Sequence, residues 1–101
     1  MNKEIVFLVV IADRKQKEPI VEDLLLSKAA LMNICYGKGS VKCNQIMEAV
    51  GLYTEQEKVI ITCLIVKEKS LAALELLTDK YNFNKSNTGI AFTVPVEKIV
   101  Y

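Results

Sequence analysis

Two stretches of the chain carry almost no polar residue, Ile5–Ala12 and Val59–Val66. Both are short and rich in β-branched side chains, which predicts strands rather than helices. Residues 13–18 are polar and predict a loop. Pro19 suits the first turn of a helix, where its missing N–H is no loss. Ile20, Val21, Leu24 and Leu25 then share one helical face, with an end near Ser27 or Lys28. Ala30–Tyr36 predicts a second strand, stopped by Gly37-Lys38-Gly39-Ser40. Asn44 is placed to cap a short helix reaching Val50, with Gly51 beyond its end. After the third strand, Val59–Val66, a second long helix carries Leu71, Leu74, Leu77 and Tyr81 as its stripe. Residues 82–89 predict a loop. Ile90, Phe92, Val94 and Val96 then alternate with smaller or polar residues as a half-buried strand that Pro95 ends or places at an edge. Ile99–Tyr101 would add a short final strand.

The order is strand, helix, strand, insert, strand, helix, strand. It predicts an α+β fold, a ferredoxin-like βαββαβ sandwich: one antiparallel sheet with two helices on one face. No linker or low-complexity segment divides the chain, so residues 1–101 form one domain with an insert at 37–57. In this topology the first and third strands are central, and one sheet face has no helices over it. A strand with one wet face should alternate apolar with polar. Here Ile5, Phe7, Val9 and Ile11 take one face and Val6, Leu8, Val10 and Ala12 the other. The third strand is apolar on both faces as well. The pattern predicts that a second copy of the sheet covers the open face in a closed homo-oligomer.

Composition narrows the function classes. Of 101 residues, 51% are hydrophobic; 13 Lys and Arg against 12 Asp and Glu leave a net charge near +1. That balance argues against a nucleic-acid partner held by bulk charge. There is no His, which removes the commonest general base and metal ligand. Cys35, Cys43 and Cys63 are odd in number and form no C-x-x-C pair. They read as free, mostly buried thiols of a reducing, cytoplasmic compartment. No apolar run approaches the roughly twenty residues of a membrane helix, and the first residues lack the pattern of a signal peptide.

Two glycine-bearing segments lie at strand ends, Gly37-Lys38-Gly39-Ser40 and Asn87-Thr88-Gly89-Ile90-Ala91-Phe92. Successive N–H groups in such turns can hold an anion, with Lys38 and Ser40 in support. Alone, each segment is equally an ordinary turn. Together with the layout, Tyr36–Ser40, Glu57-Lys58-Val59 and Asn87–Val96 make the chain resemble the PII signalling family, a nitrogen-regulatory group, in its divergent PII-like branch. The resemblance spans nearly the whole chain. It implies a homotrimer with sheets facing inward and small-ligand sites between subunits, where an adenine nucleotide is a regulatory ligand and no permanent cofactor is needed. Carried across, Gly37, Lys38, Gly39 and Ser40 contribute on one side, and Thr88, Gly89, Ile90, Ala91 and Phe92 on the other. Lys58 matches a lysine near the effector site. The 37–57 insert matches the signalling loop that engages a partner protein.

The chain departs from the family at two points. Ala91 stands where a phosphate-contacting lysine is expected, and the family's C-terminal arginines have no counterpart up to Tyr101. Each missing charged contact removes about 1.5–3 kcal/mol, so triphosphate affinity should be weak. AMP, ADP, a cyclic nucleotide or another anion then becomes the expected ligand.

The expected role is binding, not catalysis. Among Cys35, Tyr36, Cys43, Tyr53, Glu57 and Lys58, only Cys43 lies in a loop near lysines able to activate a thiol. A trimeric protein of the divalent-cation-tolerance type shares the architecture and stands as the alternative, although no Asp/Glu cluster has ligand spacing. An RNA-binding sheet would need basic residues beside Phe7. Phe92 shares a face with Ile90 and Val94, which predicts core packing. Tyr81 and Phe83 read as anchors for the following loop.

Overall fold

A computed structural model describes residues 4–37, 57–85, 88–98 and 100. Strand β1 (Ile5–Asp13) leads through a 3-10 turn (Arg14–Gln16) into α1 (Lys17–Leu26) and β2 (Ala30–Gly37). Strand β3 (Lys58–Val66), helix α2 (Lys67–Tyr81) and β4 (Gly89–Pro95) follow. The sheet order is β2-β3-β1-β4, with every neighbouring pair antiparallel. This is the ferredoxin-like sandwich expected, with β1 and β3 central. The polar run after β1 forms the 3-10 turn rather than an open loop, because the Asp13 carboxylate accepts from the Lys15 N–H at 2.9 Å. Val96, Glu97, Lys98 and Val100 are not in a strand. The expected short helix at 44–50 lies outside the described residues, as do Lys38, Gly39, Ser40, Cys43, Tyr53, Asn87, Ile99 and Tyr101.

One sheet face carries the core. Val6, Leu8, Val10 and Ala12 of β1 and Val59, Ile61, Cys63 and Ile65 of β3 bury against Ile20 and Leu24 of α1 and Ala73, Leu77 and Tyr81 of α2. Two helix stripes differ from their expected positions. In α1, Ile20 and Leu24 are buried but Leu25 is 55% exposed. In α2, Leu71 is 61% exposed, and the buried face is Ser70, Ala73, Leu77 and Tyr81. The reason is size. Ser70 and Ala73 let the helix approach the sheet closely, and the Ser70 hydroxyl is satisfied by donating to the Lys67 carbonyl at 2.6 Å. Of the described cysteines, Cys63 is buried while Cys35 is exposed on edge strand β2. Burial pushes the Cys63 thiol up, toward its inert protonated form.

A polar clamp ties the two helices together. The Tyr81 hydroxyl donates to Asp23 Oδ2 at 2.5 Å, and Lys80 Nζ donates to the same oxygen at 2.9 Å. Tyr81 therefore anchors α2 to α1 rather than the following loop. The Tyr81 bond, aided by Lys80, holds the Asp23 carboxyl below its ordinary range. A carboxyl depressed on folding adds stability above its unfolded pKa, and that stability is lost as pH falls through the folded value. Replacing Tyr81 with Phe should destabilise the fold by about 1–3 kcal/mol. In urea melts, Asp23→Asn should lower stability at pH 7 and flatten its decline below pH 4 or so; an unchanged acid limb would count against the clamp.

Candidate functional site

Antiparallel register brings four strand ends into one row. Gly37 at the end of β2 pairs with Lys58 at the start of β3, and Lys58 pairs with Asp13 at the end of β1. Ala12 pairs with Gly89 at the start of β4, which places Thr88 beside Asp13. Gly37, Lys58, Thr88 and Gly89, far apart in sequence, thus meet at one end of the sheet. Among the described residues, Lys58 is the largest fully buried side chain, 1% exposed. An ammonium group is rarely buried without a purpose or a partner.

The other expected site residues divide between faces. Ile90 packs on Ile11 with Val9 and Ile60, on the helix-free face. Phe92 pairs with Val9 on that same face. It is 40% exposed, so it does not pack into the single-chain core that its pattern predicts. Ala91 pairs with Val10 and packs against the helix-side core. The position of the expected phosphate lysine is therefore filled by a methyl group turned toward the helices.

The β1–α1 turn closes this end of the sheet. Asp13, Lys15, Gln16 and Thr88 line a shallow cleft of about 280 Å³. Gln16 Oε1 is buried and has no hydrogen-bond partner among the described residues, which leaves an acceptor available to a donor. The Thr88 hydroxyl lies 2.5 Å from the Asn82 carbonyl and 2.7 Å from that of Lys85. It thus ties the loop after α2 to the row. Sequence reasoning missed Asp13, Lys15 and Gln16; the signal was a polar run directly following a central strand.

Gly89 is required for packing. A Cβ there would lie 2.5 Å from Phe83 Cζ and 2.9 Å from the Ile11 carbonyl oxygen. The Phe83 ring thus occupies the space that a side chain would need, and holds the start of β4 in place. Among the described residues, no group of three or more His, Cys, Asp or Glu could hold a metal ion, and no helix is long and apolar enough to cross a membrane.

Gly89→Ala should destabilise the protein by about 1–3 kcal/mol through overpacking. Part of that loss should return in the Phe83→Leu background, read from denaturant midpoints; a neutral Gly89→Ala would show that the contact is not tight.

No protein-family model and no curated protein matches the sequence. Solved structures do match. A functionally unknown protein from Pediococcus pentosaceus superposes with a TM-score of 0.68 at 8% identity, covering 99% of both chains. A PII-like signalling protein from Thermus thermophilus gives 0.67 at 16% identity, covering 93% of this chain and 87% of its own. CPII of Thiomonas intermedia, a nitrogen regulatory PII-like protein, gives 0.65 at 15% identity in its complex with ADP, AMP and acetate, covering 95% of this chain and 91% of its own. Another CPII structure holds ADP and bicarbonate. With its register, its two central strands and these neighbours, the chain has the fold of the PII-like signalling proteins.

Proposed function

We propose that the protein is a trimeric PII-like sensor of a small anionic ligand, an adenine nucleotide or a similar anion bound between subunits. The observation that carries this reading is the row of strand ends, with Gly37, Lys58 and Thr88–Gly89 converging on a buried lysine. Backbone N–H groups at glycines and one ammonium group are the chemistry an anion needs. CPII, which shares the fold, binds ADP, AMP and bicarbonate. With Ala91 turned into the helix layer, the outermost phosphate of a triphosphate has no lysine at that position. AMP and ADP fit better than ATP.

The apolar helix-free face supports assembly. Ile5, Phe7, Val9, Ile60, Leu64, Val66 and Ile90 are half-buried in the single chain, and Phe92 and Val94 are exposed. An apolar face without helices over it suits contact with a second copy of the same face. The 37–57 insert begins and ends at the row, so a ligand bound there with different affinity for two insert states shifts their balance and relays the signal to a partner protein. The role is regulatory and not enzymatic, and the protein works in the cytoplasm.

Isothermal titration of the intact chain with AMP, ADP and ATP tests the reading. AMP or ADP should bind, ATP should bind no more tightly, and Lys58→Met should weaken binding by about tenfold or more, as expected for a lost charge-assisted bond. Absence of heat with all three nucleotides at millimolar concentration would overturn the nucleotide assignment.

A further inference from the structure

Arg14 is the first residue of the 3-10 turn, one step beyond the row of strand ends. Its contacts reach two different strands. Its backbone N–H donates to the Glu57 carbonyl at 3.2 Å, and its Nε donates to the Lys58 carbonyl at 3.3 Å. Its guanidinium lies 3.8 Å from the Glu57 carboxylate and 4.8 Å from the centre of the Tyr36 ring. Tyr36 directly precedes Gly37, and Glu57 directly precedes Lys58. One planar cation therefore touches the residue before each of two site residues.

We propose that Arg14 is the positioning residue of the candidate site: its guanidinium locks the end of β2 to the start of β3 and so fixes Gly37 against Lys58. The inference rests on the functional reading above for what the site binds, but not for the geometry it describes. Arginine suits the task because its flat fork can stack on an aromatic ring and donate in its own plane at once; a lysine offers a point charge and cannot do both. The contacts are unequal. The Glu57 pair is part-exposed, with the two side chains 31% and 54% accessible, and such pairs contribute little. The carbonyl bond and the stack carry the lock. Other charged groups nearby do not replace it. Lys17 Nζ lies 5.7 Å from the same Tyr36 ring and pairs with Glu18 at 3.2 Å. Lys15 and Asp13 line the cleft on the other side of the turn. None of these has a described bond to the Lys58 carbonyl. The Arg14 backbone bond to Glu57 survives any side-chain change, so the β1–β3 register persists in a variant and only the lock is removed.

The test compares wild type, Arg14→Lys, Tyr36→Phe and Tyr36→Leu as intact chains. Amide hydrogen exchange without ligand is read at Gly37 and Lys58, with Leu8 as the core reference, alongside melting temperature and ADP affinity. Arg14→Lys and Tyr36→Leu should each speed exchange at Gly37 and Lys58 by about tenfold, leave Leu8 unchanged and weaken ADP binding by a similar factor. Tyr36→Phe, which keeps the ring, should behave as wild type. Unchanged local exchange in Arg14→Lys, or faster local exchange with unchanged ADP affinity, would overturn the proposal. If the wild type binds no ADP but the two amides still loosen together, the lock stands and the nucleotide assignment falls.

Discussion

The pairing of β1 with β3, from Ile5 against Val66 to Asp13 against Lys58, is the contact on which the rest of the structure depends. In most antiparallel pairs a one-residue slip would turn the apolar set to water, and that penalty fixes the register. Here the penalty is small, because both faces of both strands are apolar. The polar ends do the fixing instead. At one end Asp13 stands against Lys58, and the Arg14 N–H binds the Glu57 carbonyl. At the other end the Lys67 N–H binds the Glu4 carbonyl at 2.9 Å. Size contributes too: Val6, Leu8, Val10 and Ala12 meet helices, while the bulkier Ile5, Phe7, Val9 and Ile11 face the open side.

Register at the ends is also what builds the candidate site. Strands β2 and β4 pair with the central strands so that Gly37 and Thr88–Gly89 arrive beside Lys58 and Asp13. The same polar groups that prevent a slip therefore also supply chemistry to the candidate site at that end. Gly89 is fixed there by Phe83 and Ile11, so the packing alone demands glycine at the place in the row where the proposed ligand would approach. The helix clamp of Asp23, Tyr81 and Lys80 lies among the helices, and it serves stability without touching the row.

The fold was legible because length, β-branched runs and the two prolines, Pro19 and Pro95, mark the elements, and their order allows few topologies. Strand ends agreed to within a residue or so for the same reason. The helix faces were less legible. Hydropathy favours Leu71 over Ser70, yet close helix–sheet approach selects small residues whose polar groups find a local acceptor. The site was legible only in part. Gly37, Lys58 and Gly89 follow from the family resemblance and the register. Arg14, Gln16 and the stack on Tyr36 do not, since a polar run after a strand looks like any solvated turn until the neighbouring strand ends are placed around it. Phe92 shows the opposite limit: alternation correctly groups it with Ile90 and Val94, but cannot say which sheet face they share.

In the proposed assembly the helix-free sheet face is an interface, and ligand sites form only where copies meet. Sedimentation equilibrium of the intact chain at micromolar concentration tests it most directly. The expected result is a particle of three times the chain mass, reduced to a folded single chain by Phe92→Lys on the open face. A wild-type chain that sediments as a folded monomer, with that face in water, would contradict it.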